Sequence, residues 1–356
     1  MLIFQRPKHL DALLLSVFTA LITVQPHFLF GKINLFELGI YLPGINAVLD
    51  GLVPFRDFFH LRGPGEFYIP ALLMRLFGEN VTVLSTYFYV GTVITLIIGV
   101  FIAAAVFKTR FVLYLMVPVL VARTFPRISF YYWGGMRYAL GMLALVLAVK
   151  SFKSRKPSSM VWAGIVSCLA FWTTIEAGIS TMVAIGGSTI LLALGGREIR
   201  VETVKVFLTY MMGVLLLFVP SVLWMGFAGA LIPYWEMTYT VLTKTYITFV
   251  NGPGLHPVGV TGFLKALVPG AEFSKSMTPV YFYMLLFLYF IWRIKNKTFD
   301  GEMTALVCIA LYGVVLYIGA FRRLDGHHFE MALQPEKNSS FLFAGKSLSV
   351  SFKDTR

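Results

Sequence analysis

Nine long apolar stretches divide the 356-residue chain, and they constrain its fold more than any other feature. They lie at residues 11–31, 81–106, 110–123, 136–150, 160–176, 179–195, 206–230, 278–292 and 302–320. A helix needs about 20 apolar residues to cross a bilayer core of ~30 Å, and ~17 is a practical minimum. The chain is 58% hydrophobic and only 13% charged, whereas a soluble domain is about a quarter charged. We therefore predict an all-α protein, a polytopic transmembrane helical bundle of about nine spans.

The charges between these stretches indicate an orientation. If the N-terminus is cytoplasmic, every short loop on that side carries lysine or arginine, while acids such as Glu37, Asp50 and Asp57 fall on the outer side. This is the positive-inside arrangement. The net charge of +13 then matches anionic membrane lipids and predicts no nucleic-acid partner. No small-residue cleavage site follows the first apolar stretch, so we expect a retained signal anchor.

The apolar run from Met160 to Gly196 is too long for one helix. The sequence IEAGIS at 175–180 offers a place to turn, and Glu176 lies within it. A glutamate inside the bilayer would be costly and therefore a functional candidate, whereas one in an outer turn would simply be solvated. We favour the turn.

Two long loops, 32–80 and 231–277, are predicted on the outer side and place the working surface there. In the first loop, apolar residues recur at helical spacing over 37–51 and again over 66–78. Each segment is amphipathic and too short to span, which predicts two interfacial helices. The segment between them, VPFRDFFHLRGPG, is predicted to be extended with a turn at its Gly-Pro-Gly end.

The same loop concentrates ionisable residues. Glu37 precedes a predicted helix, where a capping role accounts for it as well as catalysis does. Arg56, Asp57, His60 and Arg62 follow in the link, where solvated ion pairs would be worth about 0–1 kcal/mol each. Alternatively, a carboxylate that takes a proton beside a guanidinium that holds a phosphate is what displacing a phosphate from a sugar requires. The residues alone leave both interpretations open.

A second polar cluster, RRLDGHHFE at 322–330, follows the ninth apolar stretch. Its acids and histidines have the donor atoms of a metal site, but their spacing differs from the H-E-x-x-H arrangement of zinc proteases. Two arginines beside two histidines favour a basic outer patch for a phosphate, with Arg323 and His328 as candidates. We predict no metal and no cofactor.

The first loop, FELGIYLPGINAVLDGLVPFRDFFHLRGPGEFYIPALLMRLFGEN, resembles that of the GT-C class of polytopic glycosyltransferases. This class includes protein mannosyltransferases, aminoarabinose–lipid A transferases and many bacterial relatives. The likeness rests on an opening acid, a G-x-P-Y-R-D-F-like phrase, a Pro-rich phrase and a helix ending in L-F-G, carried by Glu37, Gly51, Pro54, Arg56, Asp57, Pro64 and Leu76–Gly78. The second cluster is similar to an R-x-D-x-x-H phrase of some members through Arg323, Asp325 and His328. Where members often have an Asp-Glu pair, this chain has Phe36-Glu37, and their Pro-Pro phrase is GPGE here.

The resemblance implies an enzyme: an inverting glycosyltransferase that moves a hexose or pentose from a polyprenyl-phosphate donor to a lipid, glycan or protein acceptor. It implies catalytic roles for Glu37, as the base, and for Asp57. Substrate contacts are implied for His60, Arg56, Arg62, Arg323, Asp325 and His328. Arg62, Arg323 and His328 would hold the donor phosphate.

The resemblance also implies a domain plan and a location. Residues 1–330 would form a GT-C-like transmembrane domain that includes outer loop 32–80, and 331–356 would be the tail of a truncated member. The location would be the bacterial inner membrane, with the N-terminus cytoplasmic and the active site on the outer face. The alternative is a transporter or flippase for an anionic lipid or solute. Because a transporter would show ionisable residues in mid-span and paired broken helices, we favour the transferase.

Overall fold

The computed structural model describes residues 5–23, 35–60, 62–107, 109–124, 136–154, 156–195, 200–249, 259–270, 277–296, 298 and 300–320. Every regular element in these ranges is a helix, so the predicted all-α class is confirmed. In chain order the helices are α1 (His9–Thr23), α2 (Leu35–Leu49), α3 (Gly65–Phe77), α4 (Val81–Val106), α5 (Arg110–Thr124), α6 (Arg137–Ser154), α7 (Ser158–Thr173), α8 (Ile175–Gly195), α9 (Arg200–Phe227), α10 (Leu231–Phe249), α11 (Gly259–Ala266), α12 (Thr278–Lys295) and α13 (Gly301–Ala320).

Each of the nine apolar stretches contains a helix, but only four of the described helices are both long and apolar enough to count as candidate spans. Within the described ranges, α4, α8, α9 and α13 meet the length and hydropathy requirements. Helices α1 and α5 have 15 residues each, and at a rise of 1.5 Å per residue such a helix covers only about 22 Å. The chain is therefore a membrane protein with four clear candidate spans, and the predicted count of about nine is not confirmed.

Helices α7 and α9 cross in backbone contact. A β-carbon on Gly164 would overlap the carbonyl oxygen of Tyr210, and one on Gly213 would overlap that of Val161. Small residues at a crossing let helix backbones approach closely inside membranes. Helix α7 also packs against α6 and α8, while α8 packs against α13. The first loop, residues 32–80, therefore packs against a helix, α7, that is itself held firmly by its neighbours.

The two helices predicted in the first outer loop are present as α2 and α3, and they pack against each other. Buried Tyr41 and Ile45 of α2 share a cluster with Phe67 and Met74 of α3. Gly44 permits the contact, because a β-carbon there would lie 2.6 Å from Cε1 of Phe67. Part of each amphipathic face is thus covered by protein, which the sequence pattern alone did not distinguish from burial in lipid.

The link between α2 and α3 folds into a tight turn where the sequence predicted an extended segment. The N–H of Phe55 donates to the carbonyl of Phe58 at 2.9 Å, and the N–H of Asp57 donates to that of Val53 at 2.9 Å. Phe55 has a φ of 72°, a conformation rare for a residue with a side chain. The Asp57 carboxylate stabilises the turn, because its Oδ2 accepts from the Val53 N–H at 2.7 Å.

The predicted Gly-Pro-Gly turn is confirmed, and it packs on the end of α7. A β-carbon at Gly63 would overlap the carbonyl oxygen of Trp172, and one at Gly65 would lie 2.9 Å from Oγ1 of Thr173. Helix α3 begins at Gly65, directly after this contact. The loop is therefore fixed to the bundle at the point where α3 starts.

The long apolar run from Met160 to Gly196 breaks at Thr174, one residue before the predicted IEAGIS turn. Thr174 is extended, with φ −144° and ψ 109°, and α8 starts at the next residue. Glu176 lies in the first turn of α8 with its side chain 55% exposed. It lies close to the break, as favoured from sequence, but its carboxylate pairs with Arg137 and is not simply solvated. Its negative charge suits a helix N-terminus.

Candidate functional site

Arg56 and Asp57 form a two-pronged ion pair in the tight turn of the first loop. Arg56 Nε donates to Asp57 Oδ1 at 2.9 Å, and Nη2 donates to Oδ2 at 2.7 Å. Arg56 Nη1 also donates to the carbonyl of Ala228 at 3.2 Å, just after α9. The pair thus ties the turn to the α9–α10 connection, and its guanidinium is already occupied by protein acceptors.

The Asp57 carboxylate is held in its ionised form. Hydrogen bonding from Arg56 and then from the Val53 N–H lowers the pKa of Asp57 to about 2. A carboxylate with so low a pKa is a weak proton acceptor at neutral pH, because general bases work best with a pKa near the working pH. The geometry suits Asp57 to positioning better than to proton transfer.

The stability of the protein is expected to depend on Asp57 in a defined pH range. The pKa of Asp57 falls from 3.8 to about 2 on folding, so the unfolded chain binds more protons between these values. The stabilisation is therefore complete above pH 3.8 and is lost as the pH falls towards 2. Chemical unfolding in detergent should show Asp57→Asn less stable than the wild type at pH 6, with the difference shrinking towards pH 2. Asp50→Asn, at an exposed aspartate nearby, is the control, and a difference that stays constant to pH 2 would contradict the assignment.

A pocket of about 410 Å³ opens beside this pair, between the turn and α10. Its size lies within the range of small-molecule sites, which combine apolar or aromatic walls with a few polar groups. The turn contributes Phe55, Arg56, Asp57, Phe58 and Phe59, and α10 contributes Pro233, Glu236, Met237 and Thr240. The pocket therefore offers aromatic faces and two carboxylates to a polar ligand.

His60 lies on the other side of the turn, packed between the two loop helices. Its ring is 4.4 Å from that of Phe67, edge to face, and 6.4 Å from that of Tyr41. Burial lowers the pKa of His60, against opposing effects from Glu66 and a backbone hydrogen bond with Ile40. The imidazole is therefore neutral at pH 7, and its Nδ1 accepts from the Arg62 N–H at 3.2 Å.

Arg62 pairs with Glu66 rather than with Asp57. Its Nη1 donates to Glu66 Oε2 at 3.1 Å, and its guanidinium lies over the Tyr41 ring, 4.8 Å from the centroid. Glu66 is 5% exposed, and its Oε1 accepts from Thr174 Oγ1 at 3.1 Å. The pair is therefore buried and connects the start of α3 to the break between α7 and α8.

Sequence reasoning missed a further arginine, Arg137, at the start of α6. It is 4% exposed, and its Nη2 donates to Glu176 Oε2 at 3.1 Å. Its guanidinium carbon lies 5.1 Å from the Tyr138 ring centroid. The available signal was that Arg137 opens an apolar stretch at the end predicted to face outward, whereas the predicted inner loops carry lysine or arginine throughout.

The structure brings together only part of the predicted site. Arg56, Asp57, His60 and Arg62 share one loop, although the two arginines serve separate ion pairs. Glu37 lies in the first turn of α2, and its side chain is outside the described residues. Arg323, Asp325 and His328 also lie outside them, so their predicted meeting with the first loop stays a prediction.

Comparison with known proteins identifies the fold. No family model matches the chain, and no curated protein matches its sequence. Among solved structures, the chain is similar to the archaeal oligosaccharyltransferase AglB from Archaeoglobus fulgidus, in complex with an inhibitory peptide and a dolichol-phosphate. The TM-score is 0.51 at 15% identity, and the match covers 96% of this chain and 50% of that one. The likeness shows a shared fold, and the chain spans half the length of the structure that it matches.

Proposed function

We propose that the protein is a membrane glycosyltransferase that transfers a sugar from a polyprenyl-phosphate donor to an acceptor hydroxyl or amide. The observation that carries the proposal is the first loop, whose pocket and buried Arg62–Glu66 pair are packed on the helical bundle rather than dispersed in solvent. The partly exposed Arg56–Asp57 pair lies beside the pocket. The resemblance of the first loop to that of the GT-C class supports it, as does the fold shared with an oligosaccharyltransferase. The match to an oligosaccharyltransferase in complex with a dolichol-phosphate and a peptide agrees with a lipid-linked donor and an acceptor of lipid, glycan or protein type.

In this proposal Glu37 is the general base. It takes the proton from the acceptor while the acceptor atom attacks the anomeric carbon of the donor sugar. The bond between that carbon and the phosphate oxygen breaks with inversion, and the polyprenyl phosphate leaves with the bonding electrons. Because the leaving group is already a stable anion, positioning and charge stabilisation supply most of the acceleration.

The described contacts suggest how other loop residues take part. Asp57 and Arg56 line the pocket beside α10, which we assign to the acceptor. Neutral His60 packs between α2 and α3 and would help to hold the turn in place. Arg62 is proposed to face the donor side, together with Arg323, Asp325 and His328 from the end of the chain. The aromatic rings of Phe55, Phe58 and Phe59 would offer apolar surface to a sugar ring.

We also propose the finer topology. The basic loops place the N-terminus in the cytoplasm and the first loop on the outer face of a bacterial inner membrane. Helices α1, α5, α6, α7 and α12 would complete the spans beyond the four clear ones, and α2 and α3 would lie at the interface. Residues 1–330 would form the transmembrane domain and 331–356 its tail.

The test is turnover by purified protein in detergent or lipid. The protein should release polyprenyl phosphate from a polyprenyl-phosphate sugar and deliver the sugar to an added acceptor, without ATP or an ion gradient. The release of polyprenyl phosphate is followed by chromatography, with boiled protein as the control. Movement of intact donor across sealed vesicles without release would instead identify a flippase and defeat the proposal.

A further inference from the structure

The Arg137 guanidinium is buried with hydrogen-bonding capacity to spare. Its side chain is 5% exposed, and Nη2 donates to Glu176 Oε2 at 3.1 Å. Its Nε and Nη1 are buried and have no hydrogen-bond partner among the described residues. Buried polar groups in proteins nearly always have a partner. Unsatisfied donors on a cation leave room for a further acceptor, which can be a water molecule or an anion, and the positive charge of the guanidinium favours the anion.

The two arginines of the link between α2 and α3 are already engaged by protein. Arg56 uses three nitrogens on Asp57 and the Ala228 carbonyl. Arg62 meets Glu66 and the Tyr41 ring. In Arg137, by contrast, the buried Nε and Nη1 lack an acceptor within the described part of the chain, and a phosphate is bound by arginine through two parallel N–H groups.

Three helix N-termini converge around Arg137 and add to its attraction for an anion. Glu66, Arg137 and Glu176 stand in the first turns of α3, α6 and α8 respectively, and Arg137 feels the charges of both glutamates. Backbone N–H groups at helix starts carry partial positive charge and favour phosphates. In the structure, the anion that pairs with Arg137 at these helix N-termini is the Glu176 carboxylate. With its side chain 55% exposed, Glu176 can turn to solvent and leave Arg137 to an incoming anion.

We propose that Arg137 binds the phosphate group of the lipid-linked donor and of the polyprenyl phosphate that remains after transfer, with Glu176 as a displaceable counter-ion. This inference rests on the proposed function for the source of the phosphate. The chemistry alone also fits free phosphate. The fork would approach the phosphate from the outer end of α6, and Glu176 would move aside on binding.

Binding of polyprenyl phosphate to purified protein tests the inference without any sugar transfer. Arg137→Gln should bind polyprenyl phosphate about 10–100-fold more weakly than the wild type, as expected for lost hydrogen bonds to a charged group. Arg137→Lys should recover little, since lysine lacks the fork. Glu176→Gln keeps an acceptor oxygen for Arg137 but removes the competing charge, so it should bind at least as tightly as the wild type.

The two glutamine variants separate ligand binding from a structural ion pair. If Arg137 and Glu176 merely hold α6 to α8, both variants should weaken binding alike, and that result would overturn the proposal even if Arg137→Gln folds poorly. The matched control is Arg110→Gln, which breaks a partly buried pair with Asp11 and should leave binding unchanged. Uncharged polyprenol should not bind. Inorganic phosphate that binds while polyprenyl phosphate does not would exclude the lipid source.

The Arg137 assignment and the proposed transferase function can fail independently of each other. If the wild type transfers sugar and Arg137→Gln binds polyprenyl phosphate and transfers equally well, the Arg137 assignment is wrong and the enzyme stands. If polyprenyl phosphate binds through Arg137 but no sugar is transferred, the phosphate site stands and the transferase proposal fails.

Discussion

Replacing Glu37 with glutamine is expected to lower the rate of sugar transfer by about 10²–10⁴-fold, because a general base typically contributes that much. Glutamine has nearly the same size and can still accept a hydrogen bond at a helix start, but it cannot take a proton. If Glu37 served only as a cap for α2, its loss would cost about 1 kcal/mol of stability and leave the chemical step unchanged. The measurement is the single-turnover rate with saturating donor, together with the unfolding temperature.

Glu79→Gln is the matched control for this variant. Glu79 is an exposed glutamate shortly after α3, and its loss should change neither the rate nor the stability. A near-normal rate for Glu37→Gln would show that another group accepts the proton. Asp57 would be a poor replacement, since the pKa of about 2 leaves it little basicity.

Glu66→Ala is expected to destabilise the protein by about 3–5 kcal/mol, the usual cost of removing one partner of a buried ion pair. The variant leaves the Arg62 guanidinium buried without its carboxylate, and it removes the acceptor of Thr174 Oγ1. Arg62 and Glu66 have side chains only 14% and 6% exposed, so water can do little to compensate. Denaturant unfolding in detergent, followed by the near-ultraviolet signal, measures the change.

Glu302→Ala provides the contrast, because it breaks the exposed Arg6–Glu302 pair, whose side chains are 70% and 39% exposed. Such a pair is worth about 0–1 kcal/mol. The double variant Arg62→Met/Glu66→Met should be more stable than Glu66→Ala, because it leaves no unpaired buried charge. If Glu66→Ala proved no more costly than Glu302→Ala, the Arg62–Glu66 pair would have no structural importance.

Hydropathy predicted the helices well because a backbone in lipid must satisfy its hydrogen bonds internally, and in a single segment only a helix does so. Every apolar stretch contains a helix, and the periodicity of the first loop predicted α2 and α3 to within two residues at each end. The number of membrane spans was harder to predict, because an apolar segment such as 160–176 can be either a span or a helix buried by its neighbours. The residue after its helix, Thr174, is extended, and this depends on local backbone geometry.

Pairing of the charged residues was harder to predict than their presence. Arg62 and Glu66 are four residues apart, and within a helix that spacing predicts a pair, but α3 begins only at Gly65. Arg137 and Glu176 are 39 residues apart, and their contact follows from the packing of α6 against α8. Such a contact cannot be predicted from the residues adjacent in sequence, so Arg137 was not distinguished from the other lysines and arginines, 30 in all.

The contact between Gly63 and α7 should restrict which residues evolution can place at position 63, although Gly63 takes no part in the chemistry. Its α-carbon lies so close to the Trp172 carbonyl that any side chain would overlap the backbone of α7, and backbone cannot rotate away as a side chain can. Among descendants of this chain, glycine at position 63 should be retained as strictly as a reacting group. Conservation at this end of the protein will therefore mark the docking of the loop as strongly as the chemistry, and an invariant column will not by itself identify a catalyst.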